Sequence, residues 1–250
     1  MDIVKVKKLD ESQVEAFDTE FVEGSRWTLI KELIKRDFPT GEVSFLDAGG
    51  GNGKFTDRLL AEFPKAHGTV LDNSEALLAR NTSNDRKTII HDSVENLARI
   101  DAKFDVICVH WLLHHLVSHS YRGTTRNQLA TLAALRTLLK PSGRISVFEN
   151  MCDGWLFEGL PGWIIYHLTS ARSIASLMRA MGANTAGVGV CYQSTRQWLR
   201  TAASADLLID AYGEPDHWIW PLKPLWRAIL HIRRIRVGHL WLKVNGTLSV

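Results

Sequence analysis

A glycine-rich loop and three histidines are the places where this sequence can do chemistry. The loop reads Phe45-Leu46-Asp47-Ala48-Gly49-Gly50-Gly51-Asn52-Gly53-Lys54-Phe55. It lies between an apolar run, Val43 to Leu46, and a helical pattern, Lys54 to Phe63, whose inner face is Phe55, Leu59, Leu60 and Phe63. Strand, glycine turn and helix form the setting that a nucleotide-binding loop needs. Glycines permit a tight turn and close backbone approach to a ligand. The helix that follows offers unpaired N–H groups and a positive dipole end. Asp72 and Asp92 each follow another short apolar run, Thr69 to Leu71 and Thr88 to Ile90. The Asp72 carboxylate, at the end of the second strand, can accept two hydrogen bonds from a ribose diol. His110, His114 and His115 come just after Phe104 to Val109, a nearly all-apolar strand pattern. Imidazole is the usual general base near neutral pH.

The elements that must position these groups alternate. Residues 11 to 38 read as one or two helices, closed by Pro39, Thr40 and Gly41. Four strand patterns follow, separated by helices, with Ser74 as a cap before Leu77 and Leu78. The helix through Leu129, Leu132, Ala133, Arg136 and Leu139 ends at Lys140-Pro141-Ser142-Gly143, and Arg144 to Phe148 is a fifth strand. This rhythm predicts a doubly wound α/β fold with a parallel sheet covered on both faces. Right-handed crossovers gather the strands' C-terminal ends on one edge, and ligands bind there. After Glu149 the rhythm changes. Residues 155 to 181 read as helical, Ser194 can cap a helix through Ala203, and Leu207 to Ala211 is a sixth strand. A Pro- and Trp-rich stretch, 215 to 235, with Leu225, Ala228, Ile229 and Ile232 on one helical face, precedes a last strand at His239 to Val244.

Composition is that of an ordinary globular domain, with 45% hydrophobic and 23% charged residues over 250 residues. A net charge of +3 gives no argument for nucleic acid, and none is expected as a partner. Three scattered cysteines fit a reducing compartment and match no zinc spacing. No signal peptide or long apolar run is visible, so a cytoplasmic location is the expectation. No acidic residue follows Asp216, although Lys223, Arg227, Arg233, Arg234, Arg236 and Lys243 do. The stretch 217–243 therefore reads as a solvated basic face, an anion or carrier site, or a contact with an anionic membrane.

The loop spacing separates two nucleotide readings. A dinucleotide fingerprint counted from Gly49 and Gly51 needs a third glycine at 54, where Lys54 stands. The loop instead reads D-x-G-x-G-x-G and resembles class I S-adenosylmethionine (SAM)-dependent methyltransferases of the small-molecule type. Leu139-Lys140-Pro141-Ser142-Gly143 resembles that family's turn before its fifth strand, and the landmarks cover residues 43 to 149. The resemblance implies a seven-stranded sheet of order 3-2-1-4-5-7-6 with strand 7 antiparallel. It implies cofactor contacts at Asp47, Gly49, Gly51, Gly53, Asp72, Asn73, Asp92, Ser93 and His110. It divides the chain into an N-terminal helical cap (1–40), a Rossmann-like SAM-binding core (41–150), a helical acceptor lid (151–205) and C-terminal strands with a basic insertion (206–250).

His110, His115 and His114 are the candidate catalytic bases. Trp111, Glu149, Asn150, Phe17 and Tyr192 are the candidate acceptor contacts. Phe21, Trp27, Trp155, Phe157, Trp163 and Tyr166 are further aromatics that could close over the cofactor edge. No metal is expected, because no histidine pair four apart on a helix is offered. Where methyltransferases of nucleic-acid amines carry [D/N]-P-P-[Y/F], this chain has His110-Trp111-Leu112-Leu113, which argues against a DNA or RNA base as acceptor but not against a small amine. The expected acceptor is a small, partly apolar molecule, with oxygen slightly favoured over nitrogen or carbon. S-adenosylhomocysteine would be the second product. A SAM-binding protein without methyl transfer and, more remotely, an NAD(P)-dependent oxidoreductase are the rival readings.

Overall fold

The computed structural model describes residues 3, 5–9, 13–14, 18–216 and 222–246. Phe17, Trp218 and Trp220 lie outside the described residues. Seven strands form one sheet in the order β3-β2-β1-β4-β5-β7-β6. They are β1 (Ser44–Ala48), β2 (His67–Asp72), β3 (Lys87–His91), β4 (Phe104–His110), β5 (Leu139–Gly154), β6 (Leu207–Gly213) and β7 (Ile232–Val244). All neighbours pair in parallel except β7, which is antiparallel to both β5 and β6. The strand order switches direction at β1, so the crevice between the ends of β1 and β4 is where a ligand belongs.

Alternation along the strands builds two cores. Phe45, Val106, Cys108, Phe148 and Trp241 face α1 (Gly24–Asp37) and α2 (Lys54–Glu62), where Ile30, Ile34, Phe55 and Leu59 meet them. Leu46, Ile107, Val109, Leu240 and Leu242 face the other way. There they meet Leu132 and Leu135 of a long helix (Tyr121–Thr137) and Trp198 and Ala202 of another (Thr195–Ser204). The second of these helices starts with a capping box. The Ser194 hydroxyl accepts from Gln197 N at 3.1 Å, and the Gln197 side chain accepts from Ser194 N at 2.9 Å. Ser74 caps its one-turn helix (Glu75–Leu78) by accepting from Leu77 N.

Beyond Glu149 the structure departs from the sequence expectations. Strand β5 does not stop at Phe148 but runs on to Gly154, paired with β7 from Gly238 to Ile232. Ile232 therefore belongs to a strand and not to the helix of Leu225 and Ile229, which covers only Pro224–Ile229. The region 155–181 is not one helical stretch. Its helices are Leu160–Ser170 and Ala175–Ala180, and residues 155–159 are a loop. The extended β5/β7 arm is held by its backbone ladder, by an apolar cluster of Cys152, Ile165, Val190, Tyr192, Ile232 and Ile235, and by ion pairs. Arg236 reaches the buried Asp153 at 2.6 Å and Glu214 at 3.0 Å, and also bonds the Thr195 hydroxyl. Among the described residues no helix is long and apolar enough to cross a membrane.

Removing one partner of a buried ion pair leaves the other charge uncompensated, which costs about 3–5 kcal/mol. Arg236→Met is therefore expected to lower unfolding free energy by that order, because Asp153 is only 3% exposed. Urea unfolding of Arg236→Met beside Arg236→Met/Asp153→Leu checks this. The double variant should recover much of the loss.

Candidate functional site

The end of β1 sets the site. Asp47 is the last polar residue of that strand, and its carboxylate is buried beneath the glycine turn. Gly49, Gly51 and Gly53 all take positive φ (77°, 49° and 71°), a region that side chains rarely adopt. A Cβ on Gly50 would come within 2.6 Å of the Asp47 carboxylate, so the turn fits over the acid only because it is bare. Thr56, one turn into α2, donates its hydroxyl to Asp47 at 2.9 Å. Burial nevertheless pushes the Asp47 carboxyl up to about 7, and the nearby acids Glu20 and Asp72 push the same way.

Asp72, at the end of β2, accepts from Gly51 N at 3.0 Å and from Ser74 N at 2.8 Å. These bonds tie the glycine loop to the second strand and use one lone pair of each carboxylate oxygen, leaving others for a diol. Burial raises its pKa, and the backbone donors work against that. Asp92, beyond β3, accepts from Ser93 N at 2.7 Å and Asn96 Nδ2 at 2.6 Å, and these bonds hold its carboxyl below the ordinary value.

These groups line one cavity of about 640 Å³, together with Asn73, Ser93, His110, Trp111 and His115. Its volume is in the range of a small-molecule site. Gly53 does not line it; the residue serves as the left-handed entry to α2. An N-terminal strap closes one side, with Lys7, Lys8, Leu9, Val14, Glu20 and Phe21 along the wall. Sequence reasoning missed Glu20, which carries no motif. One of its oxygens accepts from Val22 N at 2.7 Å, the other is buried without a partner among the described residues, and burial raises its pKa. Asp18 also went unnoticed, although it accepts from Asn52 Nδ2 at 2.8 Å and pairs with Arg80, tying the strap to the glycine loop. Three buried or half-buried acids, Glu20, Asp47 and Asp72, thus face one cavity. That donor set fits a ligand carrying positive charge and a ribose, as SAM does.

The three histidines part company. His110 and His115 line the cavity, and His114 does not. His114 turns inward, where its Nδ1 meets Glu149 at 2.6 Å, and the same carboxylate accepts from Leu113 N at 2.9 Å. Glu149 is fully buried and closes this turn from within. Tyr192 packs on His114 with ring centroids 5.0 Å apart and is also away from the cavity. His110 Nε2 lies 3.0 Å from the Ser146 hydroxyl, which is 2.8 Å from His239 Nε2. Burial depresses the pKa of His110 far below the ordinary value, with His239 adding to it. Burial and the neighbouring His114 do the same to His115. Both rings are therefore neutral at neutral pH, the form in which imidazole accepts a proton.

Trp111 carries the site's strain, with φ of 51° in a bulky residue. Its ring stacks on Phe148 at 5.2 Å, lies 4.9 Å from the Arg26 guanidinium, and bonds Asn150 Oδ1 through Nε1 at 3.3 Å. Asn150 is thus a support for Trp111, and it does not line the cavity. Phe21 completes the wall beside Trp111 at 5.7 Å. The other expected aromatics are elsewhere. Trp27 packs on Phe55, and Tyr166 and Tyr192 are buried among the helices after β5. Trp155, Phe157 and Trp163 are exposed, because the extension of β5 carries that loop away from the cavity mouth. Among the described residues no group of three or more His, Cys, Asp or Glu is placed to hold a metal ion.

Residues 46–145, which hold the glycine loop, both cavity histidines and the fifth strand's entry, match the family model described as a methyltransferase domain. The matched segment makes up two fifths of the chain. No curated protein matches the chain in sequence. Solved structures share its fold. The O-methyltransferase NcsB1 from neocarzinostatin biosynthesis, in complex with SAM and 2-hydroxy-5-methyl naphthoic acid, is 14% identical with a TM-score of 0.54. The match covers 92% of this chain and 57% of that one. LepI in complex with SAM gives 14% identity and a TM-score of 0.59, over 94% and 53% of the two chains. PKMT2 from Rickettsia typhi in complex with AdoHcy gives 16% and 0.55, over 83% and 49%. The chain thus spans about half to three fifths of the length of these structures.

The buried acid beneath the glycine turn makes stability depend on pH. The folded form holds the Asp47 proton up to about pH 7, whereas an unfolded Asp releases it near 3.8. Asp47 therefore costs nothing below pH 3.8, and its contribution to stability falls as pH rises from about 4 to about 7. Asp47→Asn should remove that fall and raise stability at pH 8 by something on the order of 4 kcal/mol. Thermal unfolding of both proteins across pH 4–8 checks it, and parallel curves would disprove the assignment.

Proposed function

We propose that the chain transfers a methyl group from SAM to a small, partly apolar acceptor, with a hydroxyl oxygen as the favoured site of attack. The observation that carries this reading is the meeting of two neutral histidines with the acidic glycine-loop pocket in one cavity. SAM, when bound, supplies an electrophilic methyl group next to a sulfonium cation. Asp72 is placed to hold a ribose diol, and Asp92 and Ser93 the far end of the nucleoside. Asp47 and Glu20 supply negative charge to the cationic end, and a cation there favours their ionised forms.

His110 and His115 are the groups able to take a hydroxyl proton. A hydroxyl acceptor would lie against Trp111, Phe21 and Leu112, which line the wall beside these rings. Leu9 and Val14 of the strap add apolar surface to the same cavity. Placing acceptor and donor in contact accounts for a large share of such catalysis. The first-named neighbour was solved with a hydroxylated naphthoic acid, and flat hydroxylated aromatics are the first acceptors to try. Three cysteines, all free and buried, suit a cytoplasmic setting.

Calorimetry with S-adenosylhomocysteine is expected to give micromolar binding that Asp72→Ala abolishes, with NADH as an inert control. Tighter binding of NADH would overturn the reading. SAM, the cation, should bind more tightly as pH rises from 6 to 8, and more steeply so than S-adenosylhomocysteine. With a turned-over acceptor, His115→Gln or His110→Gln should lower kcat by about 10²–10⁴ with little change in cofactor affinity. Cofactor binding without turnover of any acceptor would favour the non-transferring reading.

A further inference from the structure

The extended arm of β5 and β7 runs past the edge on which the cavity opens. Strand β5 continues six residues beyond Phe148, its last pairing with β4, which is about 20 Å of chain. The tip of this arm is apolar and bare. Trp155 is 63% exposed, Leu156 84% and Phe157 69%. The short helix Pro224–Ile229 lies beside it and has no buried residue; Leu225 is 68% exposed and Ile229 52%. The two pieces are joined, since Leu156 N donates to His231 Nε2 at 2.9 Å and Phe157 packs on the same ring. An isolated exposed Leu needs no explanation, but a contiguous patch of this kind marks an interaction site.

Charge says what the patch faces. The chain has no Asp or Glu from 159 to 205, nor from 217 to 250. The acids nearest the tip are already used: Glu158 pairs with Arg196, and Glu214 with Arg234 and Arg236. Lys223, Arg227 and Arg233 flank the tip with no ion pair among the described residues. Exposed Trp, Phe and Leu bordered by unpaired cations match the interface of an anionic bilayer, where rings enter the headgroup region and cations meet phosphates. A second copy of this chain is a poorer match, because a self-contact would bring two basic borders together.

We propose that the arm tip docks the protein peripherally on anionic lipid membranes. Docking sets the cavity's edge toward the bilayer, and it needs neither cofactor nor methyl transfer. Co-sedimentation with phosphatidylcholine vesicles, with and without phosphatidylserine, tests it on the full chain. Binding is expected only with phosphatidylserine present, and it should weaken as salt is raised. The variant Lys223→Glu/Arg227→Glu/Arg233→Glu should lose at least the factor of about five per cation that surface potential provides. Leu156→Ser/Phe157→Ser should bind at least tenfold more weakly. Both variants change exposed positions, so unchanged melting and unchanged S-adenosylhomocysteine binding would show an intact fold. No vesicle binding by the wild-type protein would overturn the proposal, as would binding that neither variant alters. A wild-type dimer in light scattering that Leu156→Ser/Phe157→Ser dissociates, without vesicle binding, would overturn it too and assign the tip to self-association.

Discussion

Strands β1 and β4 are covered by helices on both faces, and this confines polar chemistry to their ends. A charge placed mid-strand would be desolvated with nothing to pair it. At the C-terminal end a strand meets glycine turns, helix N-termini and water, so charge is tolerable there. Asp47 sits at the limit of that zone. It is deep enough for burial to raise its pKa, yet near enough to the cavity for a cation to reverse the effect. The glycine loop is bare for the same reason, because the turn must close over a carboxylate without a Cβ in the way. Asp72 then locks that loop to the neighbouring strand through Gly51 N.

A row of neutral polar groups also lies inside the sheet, and it obeys the same constraint. His110, Ser146 and His239 form a row across β4, β5 and β7. A hydroxyl gives one proton and accepts from another donor, so Ser146 can bridge two neutral rings, one as donor and one as acceptor. Charging either ring would put two donors, or an unpaired cation, into an apolar core. Burial accordingly lowers the pKa of His110 and moves that of His239 to about 3. The row thus keeps His110 neutral as it faces the cavity, and the cost of that neutrality is borne by the packing of β5 and β7.

Much of this was legible locally, and what was not depended on distant partners. The loop Asp47 to Gly53 and the helix from Lys54 are written in consecutive residues, as are the strand-end acids Asp72 and Asp92. The histidines were legible as a group but not individually. His114 and His115 are adjacent, and only the buried Glu149 decides which ring turns inward. Glu149 itself reads as a strand-end group because β5 loses its β-branched pattern at Glu149-Asn150-Met151. The strand continues there because β7 pairs with it and Arg236 neutralises Asp153. The same pairing draws Ile232 out of a helical pattern it would fit. Glu20 had no signal at all, since its place depends on how the strap crosses the cavity.

The strap is also the part of the site held most lightly. Lys7 N bonds Val117 O at 2.7 Å, Val6 N bonds Glu95 at 3.3 Å, and Gln13 and Asn184 exchange two hydrogen bonds. Each such bond is worth about 1 kcal/mol net, far less than separating a sheet strand from two cores. Further ties run from Lys7 Nζ to Val188 O and from Asp18 to Asn52 and Arg80, and none of these partners lies in a sheet strand. The cavity therefore has the sheet's strand ends as its floor and, among the described residues, one wall held by single hydrogen bonds and ion pairs instead of by strand pairing. Lys7 and Lys8, carried on that wall, bring positive charge to the same cavity that Asp47 and Asp72 line.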